Sequence, residues 1–322
     1  MRLYREASPL TPEYGEDIPY EIIPESEQTA DNSQTRAGYW TLASELQSAD
    51  GLETSAYAHQ AASKYIVGEI SANDLAEDLH DKYQRTSDTH GQTPAREHAE
   101  ADIVAGRIVS LLDGGLAFIC RLSMLPTIHK ALFDGINTPD NRAFYPGQFR
   151  TVNLSKPEPV LGGRSVEYAD YSLIATNLDY DFDVERRQPY PDQLDDASIR
   201  RFSKFISNIW QTHPFREGNT RTTAVFSELY LRSLGVDADN EPSRRNGKLF
   251  RDALVRANYA NYQLGVDEDR RFLQAFFTSI VRGERYPYTT GDLNLHGIRE
   301  KADIDYRGSY SITLPEPLED ES

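Results

Sequence analysis

The sequence predicts a mainly α-helical protein with one short β-hairpin, and three observations lead there. Apolar residues fall at helical spacing in Phe202, Phe205, Ile206, Ile209 and Trp210, behind the helix-start signals Asp195, Asp196 and Ser198. Helix punctuation recurs elsewhere: Thr93-Pro94 pairs an N-cap with proline at the first helical position, while Gly114-Gly115 and Gly235 are stops. Only between Phe149 and Leu173 does the pattern change. There Val152, Leu154, Val160, Leu161 and Val166 stand among prolines and glycines, which predicts two short strands about Gly162-Gly163, over Leu154 to Tyr168.

Taken in order, residues 1–36 are rich in Pro, Glu, Ser and Thr and read as a disordered arm. Residues 37–85 read as a small helical module in which Ser71 and Asp74 form a capping-box-like start and Leu75 and Leu79 make one apolar stripe. Such short helices cannot bury a core alone and should dock on the rest of the chain. Ser87 to Gly91 is polar and hinge-like, and a long helix is expected from Thr93-Pro94 through Leu112. Pro126 interrupts the next apolar stretch, so a helix containing His129 is expected from Thr127. The helix begun near Asp195 should end at His213. Another should run from Thr220 to Leu234, and two more from Asn246 to Arg282. The tail, 286–322, ends in acidic residues and is expected to be disordered.

Composition narrows the function. A net charge of −17 with no basic stripe argues against nucleic acid, and against an anionic membrane surface. Cys120 is the single cysteine, which rules out an internal disulfide framework. With no apolar leader or membrane-length run, the expected location is the cytoplasm. Cys120 lies among Phe118, Ile119 and Leu122, as a packing residue would. Asn246-Gly247-Lys248-Leu249 lacks the hydroxyl and upstream glycine of a phosphate-binding loop. No histidine pair has zincin spacing, and there is no G-x-S-x-G elbow.

Chemistry concentrates in His213-Pro214-Phe215-Arg216-Glu217-Gly218-Asn219-Thr220-Arg221. A glycine turn at Gly218-Asn219 lets successive amides converge on an anion at the start of the following helix, where orphan N–H groups and the macrodipole favour negative charge. Arg221 is electrostatically wrong for a bare helix start and right for gripping a phosphate. Glu217 beside a phosphate calls for a divalent cation between them, and Mg²⁺ commonly takes one or two carboxylates plus phosphate oxygens. His213, with an ordinary pKa of about 6.5, can accept a hydroxyl proton near neutral pH. Phe215 reads as the residue that holds the loop in the core.

These residues resemble the signature of the Fic (Fido) proteins, H-P-F-x-[D/E]-G-N-G-R-x-x-R. Thr127 to Phe133, Tyr145 to Val152 and Leu249 to Ala257 resemble its flanking segments, so the likeness spans residues 94–285. The resemblance implies a helical Fic fold with a hairpin flap, and AMP transfer from ATP to a Ser, Thr or Tyr hydroxyl of a target protein. It implies His213 as the base, Glu217 as the Mg²⁺ ligand, Gly218, Asn219 and Thr220 as the phosphate nest, and Arg221 as the β-phosphate clamp. The flap, at 154–168, would hold the target segment by adding a strand.

Two positions depart from that pattern. Thr220 stands where many relatives have glycine and Doc-type kinases have lysine, and Ala224 stands where the second arginine belongs. A phosphotransferase, another nucleotide donor, or a catalytically weak nucleotide-binding module are therefore the alternatives. Residues 37–85 resemble the VbhA-type antitoxin, whose helix obstructs the nucleotide site. Thr41 and Glu45 keep its motif spacing, which makes Glu45 the candidate inhibitory residue. Asp50-Gly51 keeps the glycine but offers a shorter carboxylate. Arg251, Asn258 and Tyr262 are candidates for the adenosine side.

Overall fold

The computed structural model describes residues 32–86, 98–136, 144–236 and 246–295. Most of the predicted arm, the hinge at Ser87 to Gly91, the Thr93-Pro94 helix start and the tail from 296 lie outside the described residues.

The described chain is mainly α-helical. Helices run α1 Ser33–Ala49, α2 Ala56–Ile66, α3 Ala72–Thr86, α4 Ala99–Ser110, α5 Met124–Phe133, α6 Ile174–Arg186, α7 Asp196–Thr212, α8 Asn219–Ser233, α9 Gly247–Ala257, α10 Arg271–Arg282 and α11 Thr290–Leu293. Asp195 caps α7 by accepting from the Ser198 amide at 2.8 Å, and Asn246 caps α9 by accepting from Leu249 at 2.8 Å. Ser71 and Asp74 form the expected reciprocal box, with the Asp74 amide 3.1 Å from Ser71 Oγ and the Ser71 amide 2.9 Å from the Asp74 carboxylate.

Several expectations are corrected. α1 begins at Ser33, inside the stretch read as an arm, and the Arg36 guanidinium lies 5.8 Å from the Tyr65 ring centroid on α2. α5 begins at Met124, so Pro126 sits within its first turn, where a missing N–H costs nothing, rather than ahead of it. No strand forms among the described residues. The expected hairpin at 154–168 is reduced to one antiparallel bridge, Glu158 with Arg164, closed around a 3₁₀ turn at Pro159–Leu161. Prolines and glycines in that segment leave too few consecutive amides to extend a ladder.

α8 is the central helix, buried from Asn219 through Leu231 and flanked by α5, α7 and α1. α1 also packs on α4 and α9, and α3 on α4. At the α3–α4 crossing a Cβ on Gly106 would stand 3.1 Å from Ala76 Cα, so the glycine permits the approach. Trp40, Leu46, Tyr65, Leu75 and Leu79 of α1 to α3 belong to the same core as Phe133, Trp210 and Phe226. Each fully buried side chain of this size contributes on the order of 1.5–3 kcal/mol, so the N-terminal helices are an integral part of the fold. Among the described residues no helix is long and apolar enough to cross a membrane.

Candidate active site

The motif loop connects α7 to α8. α7 stops because His213 adopts a left-handed conformation, φ 49° and ψ 60°, a strained state for a residue other than glycine. Arg150 holds it there. Its buried guanidinium donates to the carbonyls of His213 at 2.7 Å, Thr212 at 3.3 Å, Val152 at 2.7 Å and also Ala169, while its own amide donates to Pro214 O at 2.8 Å. One side chain thus ties the motif loop to both ends of the segment that carries the Glu158–Arg164 bridge.

The His213 ring is buried and lies stacked on Tyr168, centroids 3.8 Å apart. Its Nδ1 is 3.2 Å from the Trp210 carbonyl, which can only accept, so Nδ1 carries the proton and Nε2 the lone pair. Nε2 is buried without a hydrogen-bond partner among the described residues. Burial first, and the Lys156 charge next, push its pKa well below the ordinary imidazole value. A neutral imidazole with its basic nitrogen unpaired is the required state of a general base.

Asn219 closes the loop: its Oδ1 accepts from the Phe215 amide at 2.9 Å and its Nδ2 donates to the Phe215 carbonyl at 2.7 Å. Thr220 Oγ1 accepts from Trp210 Nε1 at 3.0 Å. Both side chains are therefore committed to shaping the loop, and their backbone amides are what remains for an anion. Gly218 has φ 75°, and a Cβ there would fall 2.3 Å from the Phe133 ring. It caps α8 with no side-chain bond, so the orphan amides of the first turn keep their capacity for a ligand.

Glu217 is pinned by its backbone, whose carbonyl accepts from His129 Nε2 at 3.1 Å, while His129 Nδ1 accepts from the Gly147 amide at 2.9 Å. That double bond assigns His129 a structural role. Burial lowers its pKa to about 4, and the ring stacks on Phe215 at 3.8 Å. The Glu217 carboxylate is paired with Lys156 Nζ at 2.8 Å.

Arg221 is wholly buried under α1. Its Nη1 donates to Gln47 Oε1 at 2.9 Å. Its Nε lies 2.9 Å from Asp50 and its Nη1 2.9 Å from Glu100, ionic contacts that fall outside hydrogen-bond alignment. Asp50 also faces Arg251 at 3.3 Å, and Arg251 reaches Glu158 at 3.0 Å and the Ala49 carbonyl at 2.5 Å. Glu158 in turn lies 3.4 Å from the Tyr168 hydroxyl. A polar chain therefore runs from the α1 terminus through Arg251 and Glu158 to the tyrosine stacked on His213.

The structure brings His213, Glu217, Gly218, Asn219, Thr220 and Arg221 onto one loop and helix start. Glu45 is on α1 but makes no ion pair or hydrogen bond with Arg221 or Arg251. Its backbone carbonyl lies against Gly247, where a Cβ would approach to 2.6 Å. Ala224, one turn after Arg221, packs beside Leu42 and Phe250 in an apolar pocket. Of the adenosine candidates, Arg251 is committed to carboxylates, Asn258 accepts from Ser207 Oγ at 3.0 Å, and Tyr262 is exposed. Sequence reasoning missed Arg150, Lys156, Tyr168, Gln47 and Glu100. Each is remote from the motif in sequence; Arg150, Lys156 and Tyr168 fall within segments expected to flank it and Gln47 lies near Asp50-Gly51, but no local pattern singled them out.

Comparison with known proteins agrees with this geometry. Residues 120–231 match the Fic/DOC family. They form a Fic/DOC domain. A stretch of 62 residues is 39% identical to a probable protein adenylyltransferase, y4lH, of Sinorhizobium fredii (strain NBRC 101917 / NGR234), covering 19% of this chain and 31% of that relative. The matched stretch thus spans about a third of that relative's length. No solved structure gives a significant match.

Proposed function

We propose that the Fic/DOC domain transfers AMP from ATP to a Ser, Thr or Tyr hydroxyl of a target protein, and that the end of α1 holds the phosphate site closed. The observation that carries the reading is His213 Nε2: a buried, unpaired lone pair at one end of a loop whose other end is the α8 N-terminus with Arg221. In the transfer, Nε2 takes the hydroxyl proton as the oxygen bonds to the α-phosphorus, and the bond to pyrophosphate breaks on the opposite side. The Gly218 to Thr220 amides and Arg221 take up charge on the phosphates. General-base catalysis of this kind supplies roughly 10²–10⁴-fold, so positioning and charge stabilisation carry much of the remainder.

The residues present fit a Mg²⁺ ion that reaches the site with its nucleotide. Glu217 is a lone half-buried carboxylate already facing a cation, and no cluster of three metal-ligating side chains occurs among the described residues. When bound, Mg²⁺ would neutralise phosphate charge from Glu217. The target protein would lie along 154–168, a segment that meets the motif loop through Tyr168 stacked on His213 and Lys156 on Glu217. The α1 to α3 helices would act as a built-in antitoxin-like module through Gln47 and Asp50. A cytoplasmic location suits a chain using ATP with one unpaired thiol.

A second reading, a nucleotide-binding module of low activity, is favoured by Ala224 and by the engagement of Arg221. Incubation with ATP labelled at the α-phosphate separates the two. Label should appear on a protein in wild type and vanish in His213→Ala. Label arriving only from the γ-phosphate points to phosphotransfer, and nucleotide binding with no label to the module.

A further inference from the structure

Lys156 stands apart among the residues around the motif loop. Its backbone is locked, since its amide donates to Ser165 Oγ at 3.0 Å and that hydroxyl donates to the Val166 carbonyl at 2.8 Å. Two residues on, Glu158 N donates to Arg164 O at 2.8 Å. Val152 and Ala169, at the ends of this segment, are both held by Arg150. The Lys156 side chain is therefore delivered from a fixed platform, and its ammonium rests on the Glu217 carboxylate at 2.8 Å with both groups mostly shielded from water. It is also close enough for its charge to be felt at His213.

A triphosphate is a polyanion, and a site for one needs several positive charges. Along α8 only Arg221 is available on the face toward the motif loop. One turn later Ala224 offers no charge, and the pocket it lines with Leu42, Phe250 and Phe276 holds no cation, only the carboxylate of Glu228. The start of α8 thus offers one cation, and a second stands beside it on Glu217, the carboxylate that a divalent ion would take.

Resting on the nucleotide-transfer reading above, we propose that Lys156 is the second cationic ligand of the nucleotide phosphates, exchanging Glu217 for phosphate when a divalent ion occupies the carboxylate. Lys156 then supplies from the flap segment the positive charge that position 224 lacks. It touches substrate and also stands as a resident cation on Glu217 in the absence of nucleotide. No bond is made or broken by the exchange.

The test is calorimetry on the full chain with ATP and magnesium, comparing wild type, Lys156→Met and Lys156→Arg, all in the Asp50→Ala background as well. Lys156→Met should bind ATP roughly tenfold or more weakly, and Lys156→Arg should recover most of that loss. Magnesium ions alone should bind Lys156→Met more tightly than wild type, because the competing ammonium is gone. Nuclear magnetic resonance titration of His213 should show a higher pKa in Lys156→Met, a shift that a purely structural lysine remote from the imidazole would not produce. ATP bound equally by wild type and Lys156→Met overturns the assignment of Lys156 and leaves the transfer reading standing. No binding of ATP by either wild type or Asp50→Ala overturns both.

Discussion

Asp50→Ala is the most informative substitution in this molecule, because one carboxylate holds two arginines. Its oxygens lie 2.9 Å from Arg221 Nε and 3.3 Å from Arg251 Nη1, and its side chain is 21% exposed against 1% for Arg221. An interaction with a charged partner contributes about 1.5–3 kcal/mol when shielded. With a fifth of Asp50 in water, solvent screening lowers the working figure to about 1–2 kcal/mol. On the proposed reading Asp50 competes with phosphate for Arg221, so its removal should return that amount to nucleotide binding. At about 1.4 kcal/mol per tenfold, the affinity for ATP with magnesium should rise roughly 5–30-fold. Isothermal calorimetry at fixed ionic strength measures this directly. The gain should shrink as salt is raised, since screening weakens the contact being removed. An unchanged affinity in Asp50→Ala and in the Gln47→Ala/Asp50→Ala pair, with both variants folded, would falsify the closed-site argument.

Arg221→Met should destabilise the fold by about 3–5 kcal/mol, because it removes the cation from a buried ion pair with Glu100 whose side chains are 1% and 3% exposed. Adding Glu100→Gln should recover a large part of that in urea unfolding, and failure of the second change to help would show that Glu100 is paired elsewhere. Gly218→Ala combines a positive φ with a Cβ 2.3 Å from Phe133, so loss of more than about 2 kcal/mol is expected, and near-neutral stability would contradict the loop geometry. Gly247→Ala drives a Cβ against Glu45 O and Leu46 N at 2.6 and 2.8 Å; it should pry α1 from α9 and raise nucleotide affinity in the same direction as Asp50→Ala. His129, held near pKa 4 in the fold against about 6.5 unfolded, contributes stability that is complete above pH 6.5 and is lost as pH falls toward 4. That loss amounts to about 3 kcal/mol, and stability in His129→Gln should depend less on pH across this window.

Much of the site was legible as a string. His213, Glu217, Gly218, Asn219, Thr220 and Arg221 fall within a single turn, and a glycine turn feeding a helix start dictates converging amides whatever surrounds it. The helices read from period and caps, such as the Asp195 start and the Gly235 stop, also appear as expected. The strands expected at 154–168 did not form, because a β-like composition says nothing about how many amides can pair once Pro157, Pro159, Gly162 and Gly163 interrupt the ladder.

Local sequence therefore determined which chemical groups the loop carries and how its backbone turns, since both depend on residues a few positions apart. What those groups face was decided by tertiary structure alone: Gln47 and Asp50 against Arg221, Lys156 on Glu217, Arg150 gathering four carbonyls, Tyr168 over His213. Apart from Val152, these partners lie 19 to 174 residues apart in the chain. They meet because burying the apolar faces of α1 and α8 in one core leaves the buried charges between them no solvent to turn to.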